Sequence, residues 1–188
     1  MPSTRHLRPS AYAGIAAVVV GVAIYLWEPR LNASRELSDK FLLSIVVFSF
    51  CSLFIIHVRA FAVEARLRGK ALLGLSSTAF MLSISLLCFA WLCEIWLSTQ
   101  VFVAITGVSW LIYFAWGGTF AIAASSLSYG VLGRLYALVG IGWLGFAAVA
   151  LLFGLTGVAT GQVLPLCMRM LEVLLLAIGS MTLMNLRS

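Results

Sequence analysis

Residues 163–184 read VLPLCMRMLEVLLLAIGSMTLM, 22 positions that are apolar almost throughout, with Arg169 and Glu172 as the charged exceptions. About 20 such residues, rising 1.5 Å each as a helix, cross the roughly 30 Å hydrocarbon core of a bilayer. A transmembrane helix is predicted here. The two charges inside it become the informative residues, because each costs at least about 2.5–3.5 kcal/mol near the bilayer centre.

Working outward, the same kind of run recurs along the chain. The predicted spans are 11–27, 41–58, 72–97, 101–124, 135–154 and 163–184, each of 17–26 residues. The 188-residue chain is 63% hydrophobic and 10% charged, with a mean hydropathy of +1.11. A soluble domain carries about 25% charged residues and about 45–50% apolar ones, so soluble, disordered, collagenous and coiled-coil classes are excluded. A transmembrane barrel needs short alternating segments, and these runs are continuous. Helices also satisfy their own backbone amides, as lipid requires. The expected fold is all-α: a polytopic transmembrane helix bundle with six spans, one membrane domain over 1–188.

The connections add detail. A basic start followed by an apolar run has the outline of a signal peptide, but Tyr25-Leu26-Trp27-Glu28-Pro29 lacks a small-residue cleavage pattern, so an uncleaved first span is expected. Residues 28–40 read as a mixed-charge loop. After the second span come His57, Arg59, Glu64, Arg66, Arg68 and Lys70, with Glu64 and Arg68 at i,i+4, so this helix is expected to continue beyond the bilayer. Ser98-Thr99-Gln100 is so short that spans three and four must form an antiparallel hairpin. Loops are expected around Ser125–Gly133 and around Gly154, Gly157 and Gly161. The second span, which is short, and the glycine-rich fifth are the weak joints.

The net charge is +6. In a membrane protein excess Lys and Arg sets topology, since such residues stay in cytoplasmic loops. With the N-terminus inside, Arg5, Arg8, Arg59, Arg66, Arg68, Lys70, Arg134 and Arg187 are inner, and Arg30, Arg35 and Lys40 are outer. Both termini are therefore expected in the cytoplasm, with the chain multi-pass in a bacterial inner (plasma) membrane. Basic residues interleaved with aromatics, the footprint of nucleic-acid binding, are not seen, and no nucleic-acid partner is expected.

Glu94, Arg169 and Glu172 are the charges inside spans. Arg169 and Glu172, three apart, share a helix face. At 1.5 Å per residue, Arg169 lies roughly 9 Å, Glu172 roughly 13–14 Å and Glu94 about 5 Å from the outer ends of their spans. A snorkelling guanidinium reaches several Å, so Arg169 is expected to bridge Glu94 and Glu172. Three readings stay open: an ion-pair triad that fixes helix packing, a substrate-binding site made of Glu94, Arg169 and Glu172 and open to the outside, or groups that meet a partner subunit.

Small or polar stripes accompany them: Ser76, Ser83, Ala90 and Ser98 with Glu94; Pro165, Leu176 and Gly179 with Arg169; and Tyr113, Gly117, Ala121 and Ser125 on the fourth span. Small residues at i,i+4 let membrane helices approach closely, although such stripes also line narrow polar cavities. Gly117-Gly118 marks a place for a kink, and Pro165 reads as a first-turn proline. Trp27, Trp91 and Trp96 are expected near the outer interface as an aromatic belt, with Trp110, Trp116 and Trp143 deeper. The serines at 76, 77, 83 and 85 are expected to bond back to the helix or across it.

Catalytic and metal chemistry find little support. His6 and His57 are the two histidines, and His57 is placed at a span end, so a bis-histidine haem lacks a second ligand. Cys51, Cys88, Cys93 and Cys167 all fall in apolar runs; Cys88 and Cys93 do not face together, and Cys167-Met168 with Met170 reads as core filler. No cofactor or metal is expected. The function expected is a small transporter or channel component with its polar site in the outer half of the bilayer. The alternative is a non-catalytic membrane subunit or assembly factor; a second alternative, an intramembrane enzyme acting on a lipid or quinone, rests on the polar triad and the Trp-rich outer half. The expected partners are membrane lipids and either a partner membrane subunit or further copies of the chain.

Overall fold

The computed structural model describes residues 7–33, 36–97, 99–128, 130–156 and 163–186. It consists of helices α1 (Leu7–Ala33), α2 (Leu37–Leu67), α3 (Ala71–Leu97), α4 (Gln100–Ala124), α5 (Gly130–Thr156) and α6 (Val163–Asn185), with a single 3-10 turn at Ser125–Leu127. Among the described residues, six helices are long and apolar enough to cross a membrane. The all-helical architecture is that of the sequence, and it is compatible with a multi-pass integral membrane protein.

Several boundaries move. α1 remains helical to Ala33 and α2 begins at Leu37, so much of the expected 28–40 loop is helix. The second span is not short: α2 runs 31 residues, about 46 Å at 1.5 Å per residue, and its charged end is helical to Leu67. Glu64 and Arg68 make the expected i,i+4 ion pair at 3.1 Å. α5 starts at Gly130 and continues through Gly154 to Thr156, while Gly157 and Gly161 lie outside the described residues, as do Arg187, Ser98 and the side chains of Trp27 and Pro165. By backbone position Pro165 is in the first turn of α6, as read.

Each helix packs on its neighbours in sequence, and α6 closes back on α1, with a further contact to α2. The connections explain this order. α3 and α4 are joined by two residues, which forces the expected hairpin, and Thr106 Oγ1 donates across it to the Ala90 carbonyl. α2 turns into α3 through Gly69, whose φ of +64° is left-handed. There the Lys70 N–H donates to the Ala65 carbonyl at 2.8 Å and Gly69 N–H to that of Arg66, the paired bonds of a Schellman C-cap. Lys70 Nζ then reaches the Ser126 carbonyl and, at 3.1 Å, its hydroxyl. Ser128 Oγ donates to Thr182 Oγ1 at 2.9 Å, and Ser180 Oγ to the Ala11 carbonyl at 3.1 Å. The start of α1 and the end of α6 therefore share one end of the bundle, here called the terminal end.

The interior is a column of rings. Phe54 (α2), Phe80 (α3), Tyr113 (α4) and Trp143 (α5) meet at centroid separations of 5.1–6.2 Å in their contacting pairs. Gly117 clears the space that the Trp143 ring fills, and α4 does not break there. Gly118 and Gly140 instead let α4 and α5 touch backbone to backbone: a Cβ on either would come within 2.8 Å of the other's carbonyl oxygen. The small stripes face inward, with Ser76, Ser83, Ala90, Gly117 and Ala121 all buried. The Ser76 and Ser77 hydroxyls bond back to Leu73, and those of Ser83 and Ser85 to Phe80 and Met81. Packing, the plainer of the two readings, accounts for those contacts.

His57 departs furthest from its expected place. It is buried inside the bundle, ten residues before the end of α2, with Nδ1 3.0 Å from the Ser10 carbonyl oxygen.

Candidate functional site

At the end of the bundle away from the termini, α6 brings Arg169 and Glu172 inward together. Arg169 Nη1 donates to Glu172 Oε2 at 2.7 Å, with side chains 7% and 2% exposed. The other carboxylate oxygen, Oε1, accepts from the Tyr113 hydroxyl of α4 at 2.8 Å. Both oxygens of a buried carboxylate thus have charge-assisted or hydroxyl partners, which lets it stay in a low-dielectric interior.

The guanidinium sits in a box of rings. Its carbon lies 5.4 Å from the Trp91 centroid, 5.8 Å from Trp110 and 5.9 Å from Phe50. These come from α3, α4 and α2, so one cation is held by three neighbouring helices through the quadrupoles of their rings, each contact contributing about 0.5–2 kcal/mol. Trp91 and Trp110 also pack edge to face at 5.7 Å. Gly21 of α1 supports the box from behind, since a Cβ there would meet the Phe50 ring at 3.0 Å.

Beside this cluster, between α1 and α6, lies a cleft of about 260 Å³ lined by Val18, Gly21, Val22, Phe50, Met170 and Val173, with Arg169 and Glu172 at its floor. Its walls are almost wholly apolar.

Of the three charges singled out in the sequence, Arg169 and Glu172 are brought together. Glu94 is half-buried on α3, three residues past Trp91 and so on the same helix face as the ring that covers Arg169. Trp91 is not a belt residue: it is 6% exposed and faces the guanidinium. Trp96 does sit at the periphery, donating Nε1–H to Ser44 Oγ at 3.0 Å. The partners missed in the sequence are Phe50 and the Tyr113 hydroxyl. Nothing local distinguishes Phe50 from the chain's other phenylalanines, whereas Tyr113 carried a signal: a phenol deep in an apolar span needs a partner. Cys51 on α2 and Cys88 on α3 are both buried free thiols. No protein-family model matches the chain, and searches of curated proteins and of solved structures return no match.

Proposed function

We propose that the chain is a small membrane transport protein whose solute has an apolar body and a single polar end. The solute enters from the lipid side through the cleft between α1 and α6 and presents its polar end to Arg169 and Glu172. The observation that carries this reading is the buried Arg169–Glu172 pair at the floor of an apolar cleft. Glu94 on α3, three residues past Trp91, is carried in this reading as a further carboxyl of the polar cluster. With both termini in the cytoplasm, this site lies in the outer half of the bilayer.

The test uses a photoreactive fatty acid in phosphatidylcholine vesicles holding the purified protein. Cross-links concentrated on Val18, Val22, Met170 and Val173, and lost in the cleft-filling variant Val22→Trp, are the expected result. Labelling spread evenly over outward residues such as Leu138 and Ile141 overturns the proposal. A second reading, a non-catalytic membrane subunit, is favoured by the full satisfaction of Glu172, whose two oxygens are both engaged within the chain. Its signature is a stoichiometric membrane partner that stays bound in mild detergent when Val22 is replaced by Trp.

A further inference from the structure

A second polar node lies nearer the terminal end. On α2, His57 is seven residues beyond Phe50; on α6, Gly179 is seven beyond Glu172, two turns along the same face in each case. His57 is 1% exposed and Tyr136, from α5, is fully buried. The Ser10 carbonyl can only accept, so His57 Nδ1 carries the hydrogen of that 3.0 Å bond. In the neutral ring this leaves Nε2 as a bare acceptor.

Nε2 and the Tyr136 hydroxyl are both buried, and among the described residues neither has a hydrogen-bond partner. Both pack against Gly179. A Cβ built on Gly179 would lie 2.4 Å from Nε2 and 2.8 Å from the hydroxyl oxygen, so the two atoms are at most about 5.2 Å apart, within the reach of one molecule making two hydrogen bonds of ~2.8 Å. Gly14 of α1 clears the other side of the imidazole. Among the described residues, the groups packed on this node are neutral. Phe61 packs edge-on to His57, and Phe61 and Phe120 both pack against Tyr136, while the Ser180 hydroxyl is committed to the Ala11 and Leu176 carbonyls. Glu64, the next ionisable group along α2 past Arg59, is paired with Arg68.

We propose that His57 Nε2 and the Tyr136 hydroxyl form a built hydration site, holding one water against Gly179. The water donates to Nε2 and accepts from Tyr136, satisfying two buried groups at once. A neutral ligand suits this site, since a neutral imidazole, a phenol and rings would leave an ion without a counter-charge. Glycine at 179 is required because a Cβ there would collide with both groups. The site is separate from the Arg169 cluster and stands whether or not the cleft carries a solute.

His6 is the other histidine in the sequence, so His6→Ala leaves one ring to label with nitrogen-15 for solid-state NMR in phosphatidylcholine vesicles. The expected spectrum is a neutral ring protonated at Nδ1, with an unprotonated Nε2 that receives magnetisation from water. Tyr136→Phe keeps the ring and should shift the Nε2 resonance; Gly179→Ala should abolish the water transfer. An Nε2 that carries the proton, or one that shows no transfer from water, overturns the proposal from the wild-type spectrum alone, so the outcome does not depend on either variant folding.

Discussion

Replacing Glu172 by Gln tests whether the far end of the bundle is held by charge. At 2.7 Å and an effective dielectric constant of ~20, the attraction between the two charges is about 6 kcal/mol. Desolvation of both groups offsets much of this, so the net value of the pair is far smaller. The asymmetry is the useful quantity. A glutamine can still accept from Tyr113, but the carboxylate charge bonded to Arg169 is lost, and breaking a buried pair costs about 3–5 kcal/mol. Removing both charges at matched volume, Arg169→Met with Glu172→Leu, leaves the Tyr113 hydroxyl as the unpaired group, at about 1–3 kcal/mol. Adding Tyr113→Phe removes that cost as well. The expected order of stability is therefore wild type close to the triple variant, then the double, with Glu172→Gln lowest. Reversible unfolding from detergent micelles into sodium dodecyl sulfate gives the numbers, read by tryptophan emission because Trp91 and Trp110 both face Arg169. A Glu172→Gln protein within about 1 kcal/mol of wild type, or a triple variant no more stable than the single one, would refute the reasoning.

Two further substitutions probe the backbone. Gly140→Ala drives a methyl against the Gly118 carbonyl and Ile122 and should destabilise by about 1–3 kcal/mol, whereas Gly145→Ala, which meets nothing within 4 Å, should be neutral or stabilising by up to about 1 kcal/mol; equal effects in the same unfolding assay would contradict the α4–α5 contact. Gly69→Ala places a side chain at a φ of +64° and should cost ~1 kcal/mol, while Gly69→Asn, which tolerates this conformation better, should recover part of that loss.

The sequence carries the helices plainly because each crossing must be a continuous apolar run near 20 residues long. It carries the ends unevenly, since helices of a bundle need not stop where hydropathy does: the run of α2 through Arg59, Glu64 and Arg66 was legible from the Glu64–Arg68 spacing, whereas that of α1 through Glu28 and Arg30 to Ala33 was not. Arg169 and Glu172 were legible because spacing of three puts them on one face of one helix. Their partners were not, because Phe50, Trp91, Trp110 and Tyr113 arrive from three other helices, and which rings converge is decided by packing between helices that single-sequence periodicity does not encode. His57 shows the opposite failure. Its neighbours Arg59 and Glu64 made the segment read as a solvent-facing extension, yet the ring turns inward, where Gly14 and Gly179 make room for it.

The fastening of α6 bears on how the cleft could open. Near the terminal end Ser180 and Thr182 bind α6 to α1 and to the α4–α5 turn. At the far end its inward bonds include those of Glu172 to Tyr113 and of the Leu171 carbonyl to Trp143 Nε1 at 3.2 Å. A tilt of α6 about its C-terminal half would thus widen the cleft while sparing the terminal contacts. It would strain the Tyr113 and Trp143 bonds and draw Arg169 out of its aromatic box. Arg169 and Glu172 would move together, being on one helix, so the ion pair would survive a motion that breaks its anchors. A solute's polar end, or water entering with it, could then replace the Tyr113 hydroxyl at Glu172 Oε1. On this argument Tyr113→Phe would loosen the far end without leaving a buried charge unpaired, and fatty-acid cross-linking at Met170 and Val173 should rise, whereas loss of the ion pair should lower stability first. A Tyr113→Phe protein whose cross-linking matches wild type would mean that Tyr113 does not gate the cleft.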